Sequence, residues 1–182
     1  MGRKASFYAR CGDDILIGAK SRTAIERLAD MTEHIMKEKK LSLNRKKTMI
    51  LEPGETFLFL GWKISGREID FSDEALLKIG KSIRKKTRNY LIQVEKAGIP
   101  QAFRLPLLIR QIDRSIRANR ITKSFSIVTV PDGLKKIDHM ICDGIRTVVT
   151  GKTGKGKYAL TYQTIRSWGY RSLVNRYFRQ LS

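Results

Sequence analysis

The stretch Ala-Arg-Cys-Gly-Asp-Asp-Ile-Leu-Ile-Gly, residues 9–18, sets two adjacent carboxylates, Asp13 and Asp14, between short apolar runs. Like charges side by side in apolar surroundings are unfavourable unless a cation neutralises them. Residues 6–11 and 14–19 carry strand formers, and Gly12-Asp13 between them is a two-residue turn signal. The sequence therefore predicts an antiparallel hairpin with the acids at its tip. At such a tip both side chains can approach one cation, and hard carboxylate oxygens suit Mg²⁺ or Mn²⁺. Taken alone, Gly12-Asp13-Asp14 reads as an ordinary solvated turn, so context has to decide.

Charge supplies part of that context. The chain carries 37 Lys and Arg against 17 Asp and Glu, a net of +20. Residues 1–77 are nearly balanced, with 14 basic and 12 acidic groups, whereas residues 78–182 have a net charge of +18. An excess of this size points to a polyanionic partner, most often nucleic acid. No run approaches the ~20 apolar residues of a membrane span. The start lacks the apolar stretch of a secretory signal, and two cysteines are too few for a disulfide scaffold. A cytoplasmic protein without a membrane partner is the expectation.

Periodicity divides the chain at the same place. A helix is predicted from Thr23, where Thr23 and Glu26 have capping-box spacing, to the cationic run ending at Lys40. Leu41–Leu43 and Met49–Leu51 read as two short extended pieces, and residues 56–65 as one strand. Residues 66–68 form a turn and 69–71 a returning strand. Ser72 is a candidate N-cap for a long helix that Gly98-Ile99-Pro100 stops. Further helices are expected around Leu105–Ile116, after Pro131-Asp132-Gly133, and over about 161–168 and 171–181. The fold class is thus α+β, with a mixed part over 1–72 and a basic helical part over 73–182.

The order of motifs resembles the palm of reverse transcriptases, especially the group II intron and related bacterial retroelement type. The motifs are "YARCGDDILIG", an amphipathic helix, "LSLNRKKT" and "FLFLGWKIS". The resemblance implies a C-terminal palm part followed by an all-helical thumb. It implies that Asp13 and Asp14 hold catalytic Mg²⁺ or Mn²⁺, and that Asn44 and Lys47 lie near the incoming nucleotide. Leu60, Gly61 and Trp62 would then grip the primer. On the thumb, Arg84, Lys85 and Arg88 on one helix, and Arg110, Arg114 and Arg117 on the next, would track the nucleic-acid backbone. The partners implied are an RNA template paired with a DNA primer.

Two departures qualify the resemblance. Cys11 stands where the family has an aromatic residue, and "GDD" is also the pattern of RNA-templated RNA polymerases. The family's metal site further needs an upstream palm Asp. Only twelve residues precede Asp13 here, with no acid among them. The expectation is an RNA-directed DNA polymerase that is incomplete as this chain alone and is completed by an upstream palm and fingers half. The alternative is a non-catalytic RNA- or duplex-binding module, maturase-like or a polymerase relic. Asp70 is expected to be structural. The loop "GKTGKGK" (151–157) lacks the Ser or Thr of a nucleotide-binding loop, because Tyr158 follows its Lys157. It is expected to be a flexible basic loop touching backbone phosphates, with plain disorder as the alternative.

Overall fold

A computed structural model of the chain describes residues 6–118, 121–152 and 154–181. Contacts divide it into two compact units, Met1–Leu60 and Gly61–Ser182.

In the first unit, β1 (Phe7–Cys11) and β2 (Asp14–Gly18) form the predicted antiparallel hairpin, with Cys11 opposite Asp14 and Phe7 opposite Gly18. Gly12 takes φ 59°, a left-handed conformation that a glycine adopts without a Cβ penalty. Helix α1 (Arg22–Glu38) follows. Its cap is Ser21 rather than Thr23: the extended backbone of Ser21 lets its hydroxyl accept the N–H of Ala24 at 3.3 Å. Glu26 pairs with Arg22 at 2.7 Å instead of closing a capping box. The extended pieces expected at Leu41–Leu43 and Met49–Leu51 are not strands. Between them Asn44 organises a local turn, its carbonyl accepting the N–H groups of Lys47 and Thr48 at 2.9 Å. The unit closes with β3 (Thr56–Phe59).

The single strand expected over 56–65 is broken. Leu60 and Gly61 take φ 51° and 86°, which no continuous strand accommodates. The second unit therefore begins with its own hairpin, β4 (Trp62–Ser65) and β5 (Glu68–Phe71), in which Trp62 lies opposite Phe71. Next come α2 (Asp73–Lys96), α3 (Gln101–Ala118), α4 (Asp132–Thr150), α5 (Tyr162–Ser167) and α6 (Leu173–Leu181). Ser72 caps α2 as expected, accepting from the N–H of Ala75 at 3.1 Å. Two short 3₁₀ turns, Ile121–Ser126 and Lys155–Ala159, were not foreseen from periodicity.

Helix α4 is the centre of this unit. Leu134, Ile137, Ile141 and Ile145, spaced three or four apart, lie almost wholly out of solvent. They pack with Leu76, Tyr90 and Val94 of α2, Leu108 of α3, Ile165 of α5 and Leu173 of α6. Each such side chain contributes about 1.5–3 kcal/mol on burial. Polar ties close the frame. Asp138, buried on α4, accepts from the Tyr170 hydroxyl at 2.6 Å and from the Leu173 N–H at 2.8 Å, fixing the start of α6. Asp70 of β5 accepts the Gly133 N–H at 2.9 Å at the start of α4, the structural role expected of it. The N–H of Thr129 bonds the carbonyl of Ile69 at 2.9 Å. These last two ties hold the β4–β5 hairpin in the helical unit. The contact boundary consequently falls at Leu60–Gly61 rather than at residue 72.

The first unit differs in kind. None of its described residues is buried, whereas the second unit holds a continuous core.

Candidate metal-binding turn and basic helix faces

The two-residue turn determines where the acids stand. With Cys11 and Asp14 paired, Gly12 and Asp13 are the loop, and both Asp13 and Asp14 are exposed at the hairpin tip. The Arg10 guanidinium folds over the turn and donates from Nε to the Gly12 carbonyl at 3.0 Å. No hydrogen bond or ion pair engages either carboxylate among the described residues. Two adjacent, solvent-open carboxylates fit part of a divalent-cation site, because hard cations take oxygen ligands and retain water. No third His, Cys, Asp or Glu joins them in a metal-binding group among the described residues.

Asn44 and Lys47 are both exposed on the turn that follows α1. The Asn44 side chain caps that turn, accepting the Lys46 N–H at 3.1 Å. Nothing links Asn44 or Lys47 to the acidic turn by a hydrogen bond among the described residues. Beside this turn is an open cleft of about 290 Å³, lined by Glu33, Met36, Lys37, Leu41, Arg45 and Thr48 among others. Lys37 at 3.0 Å and Arg45 at 3.2 Å both meet Glu33 and hold its carboxyl below the usual range. Sequence reading missed this cleft because its walls are the helix end and a turn that carries no periodic signal.

The three residues assigned to a primer grip have different surroundings. Leu60 is about half exposed, and Gly61 is open to solvent, its carbonyl accepting the Ser72 N–H at 2.9 Å. Trp62 is partly buried and packs its ring 5.1 Å from that of Phe71. Trp62 is thus a packing residue of the second unit whatever else it touches.

Helix α2 carries its cations away from its core. Leu76, Thr87, Tyr90 and Val94 face inward, while Lys81, Arg84, Lys85 and Arg88 are exposed on the remaining surface. Lys78 is held by Glu74 at 2.7 Å, but Arg84, Lys85 and Arg88 have no carboxylate partner among the described residues. On α3, Arg110 and Arg114 are likewise exposed. The side chain of Arg117 lies outside the described residues. A helix face of unpaired cations suits a phosphate backbone, which it meets without reading bases.

The loop after α4 corrects an expectation. Lys157 does not reach out for phosphate: its ammonium meets Asp143 at 2.9 Å and lies over the Tyr158 ring. Arg146 also meets Asp143, at 3.1 Å, and donates to the Leu160 carbonyl at 2.9 Å. Burial pushes the Asp143 carboxyl up, but Lys157, Arg146 and the Tyr158 hydroxyl together hold it below its usual value. Lys152 and Lys155 are the exposed cations of this loop.

Comparison with family models, with curated proteins and with solved structures returns no match. Among the described residues, no helix is long and apolar enough to cross a membrane.

Proposed function

We propose that this chain is part of an RNA-directed DNA polymerase of the reverse-transcriptase type, its first unit belonging to the palm and its helical unit to the thumb. The observation that carries the reading is the acidic turn. Asp13 and Asp14 stand exposed and unpaired at the tip of a two-residue hairpin. That is the arrangement the motif order "YARCGDDILIG … LSLNRKKT … FLFLGWKIS" leads one to expect.

In this reading Asp13 and Asp14 hold Mg²⁺ or Mn²⁺. An ion held there would supply Lewis acidity for activating a primer hydroxyl and positive charge to offset the triphosphate. Lys47 supplies a cation to the incoming nucleotide, and the Asn44 turn positions it. Leu60, Gly61 and Trp62 lie along the primer strand. Arg84, Lys85, Arg88, Arg110, Arg114 and Arg117 neutralise backbone phosphates of an RNA–DNA duplex. The carboxylate set is incomplete, so an upstream palm and fingers half is the implied partner.

The second reading, a non-catalytic RNA- or duplex-binding module, is favoured by one observation. No third metal-ligating side chain accompanies the pair among the described residues. Primer extension on an RNA template with Mg²⁺ separates the two. Templated incorporation when an upstream half is supplied, and its loss with Asp13→Asn, supports the polymerase. Duplex binding with no incorporation under any such condition assigns the binding module.

A further inference from the structure

Residues 144–182 carry eight Lys and Arg and no acid, and Asp143 stands immediately before them. The fold turns two of those cations back onto it. Lys157 places its ammonium 2.9 Å from Asp143 Oδ2, and Arg146 places Nη1 3.1 Å from Oδ1. The Tyr158 hydroxyl donates to Oδ2 at 3.3 Å, so both carboxylate oxygens are engaged. The two cations lie 5.1 and 5.2 Å from the centre of the Tyr158 ring. Arg146 also donates from Nε to the Leu160 carbonyl at 2.9 Å, which ties down the end of the segment. Residues 154–160 therefore form a strap held against α4.

Two features separate this cluster from an ordinary surface ion pair. One is shielding. The side chains of Lys157 and Arg146 are 13% and 10% exposed, whereas Lys78 and Lys135, each paired with an acid of its own helix, are 74% and 60% exposed. The other is the fastening. No residue of Lys155–Ala159 is buried, and Leu160 alone of the strap packs against the core. Ionic ties thus carry most of the closure, and in a partly buried ion cluster desolvation offsets much of the attraction. An arginine and a lysine converging on the oxygens of one anion are also the donors that hold a phosphate. Asp143 stands where that anion would be.

We propose that residues 154–160 are an autoinhibitory strap, closed by Asp143, that withholds Lys157 and Arg146 from nucleic-acid phosphate. Asp143 is the internal competitor: while it holds the two cations, they do not add to the grip of α2 and α3. Opening the strap turns Lys157 outward and uncovers Arg146 on α4. The strap rests on geometry; what it withholds the cations from rests on reading the helical unit as nucleic-acid-binding.

The experiment titrates the full 182-residue chain with an RNA–DNA hybrid at several salt concentrations and follows hydrogen exchange of the same samples without nucleic acid. Asp143→Asn should speed exchange of the amides of 154–160 by about threefold or more. It should also tighten hybrid binding by about threefold to fivefold, the worth of one partly exposed ion pair. Its log–log salt slope should steepen by about 1, for one added phosphate contact. Asp132→Asn removes the same charge from the same helix, but its partner Lys135 is already exposed, so it should tighten binding by less than about twofold. Asp143→Asn combined with Lys157→Gln should return the slope to that of the parent. Tyr158→Phe removes one tie and no charge, and should speed exchange of the strap and tighten binding by about twofold.

Equal effects of Asp143→Asn and Asp132→Asn on a hybrid that the parent binds would overturn the proposal: the strap would be a fastener only, and the nucleic-acid reading would stand. Unchanged exchange of 154–160 in Asp143→Asn, or a slope that stays steep without Lys157, would overturn it too. Should Asp143→Asn lose the native circular dichroism spectrum, Tyr158→Phe decides, and parent-like exchange and binding in that variant would overturn the strap. No binding by the parent or any variant at low salt would remove the nucleic-acid reading and the proposal with it.

Discussion

The carboxylate of Asp70 lies 2.9 Å from the backbone nitrogen of Gly133, so one side chain of the β4–β5 hairpin anchors the first turn of α4. A methyl group at residue 133 would come 2.3 Å from Asp70 Oδ1 and 2.7 Å from the Phe71 ring. Glycine is favoured there by contact, since a Cβ would displace the Asp70 carboxylate from the Gly133 N–H and press on the buried Phe71 ring. Gly133→Ala should destabilise the helical unit by about 1–3 kcal/mol. Asp70→Ala, which strands the Gly133 N–H, should cost about 1–3 kcal/mol. Denaturant unfolding followed by far-UV circular dichroism measures both, and wild-type midpoints would show that the hairpin is not clasped to α4.

Cys11 and Cys142 should separate cleanly in reactivity. Burial, with the Asp138 carboxylate beside it, pushes the Cys142 thiol up to about 12, so almost no thiolate exists at neutral pH. Cys11 is exposed at the end of β1. Limited iodoacetamide treatment of the native chain followed by peptide mass analysis should find label on Cys11 alone. Equal labelling of Cys142 would mean that the α4 core opens readily.

The acidic turn was legible because two-residue turns have a strict sequence code: Gly at a left-handed position between strand formers leaves little choice. The N-caps were less legible. Thr23 and Glu26 have capping-box spacing, yet Ser21 caps α1, while Glu26 pairs with Arg22 at 2.7 Å and Arg22 also meets Glu52 at 2.6 Å. Pairings of that kind are spatial, and Glu52 is thirty residues away. Lys157 misled for the same reason. In the sequence it belongs to a basic glycine-rich loop, and only the fold brings Asp143 beneath it. The break at Leu60–Gly61 escaped because leucine seldom takes a positive φ. The absent core of the first unit could not be read at all: α1 has the apolar period of a buried helix, and sequence does not say whether its cover is present.

Asp143 gives a pH dependence with a definite sign. Its carboxyl is held below the usual range by Lys157, Arg146 and Tyr158, against the upward push of burial. A depressed pKa in the folded chain means that ionised Asp143 stabilises the fold at pH above its unfolded value, about 3.9. That stabilisation is lost as pH falls from there through the folded pKa. Acid should therefore loosen residues 154–160, whose Lys157 and Tyr158 meet Asp143. Asp143→Asn should flatten the acid limb of the stability curve and speed exchange of those amides at pH 7. An unchanged acid limb would show that the Asp143 contacts do not persist in solution.

Asp13→Asn and Asp14→Asn should leave folding unaltered, because both side chains are exposed and make no hydrogen bond among the described residues. Thermal midpoints within about 2 °C of the parent are expected, as for most surface substitutions. Activity should respond differently. The 182-residue chain alone is expected to incorporate no nucleotide on a primed RNA template. The activity restored by an upstream half should disappear with Asp13→Asn. Templated incorporation by the chain alone would show that no further carboxylate is needed. Restored activity that survives Asp13→Asn would remove the turn from the metal site.

The basic helices make a prediction about salt. Residues 78–182 hold a net charge of +18, and the exposed Arg84, Lys85 and Arg88 have no carboxylate partner among the described residues. Each phosphate contact on duplex nucleic acid releases about 0.9 counterion, so a grip of about 4–6 phosphates gives a log–log salt slope near −4 to −5. RNA–DNA hybrid, duplex DNA and duplex RNA of unrelated sequence should bind with little discrimination within each type, because cations on helix faces meet backbone rather than base edges. Changing Arg84, Lys85 and Arg88 together to Gln should flatten the slope by about 2–3 and weaken all sequences alike. The three positions are exposed, so the fold should survive, which circular dichroism verifies in the same samples. Absence of binding at low salt would defeat the thumb assignment. An unchanged slope in the triple variant would clear α2 of contact and leave Arg110 and Arg114 on α3 as the next cations to test.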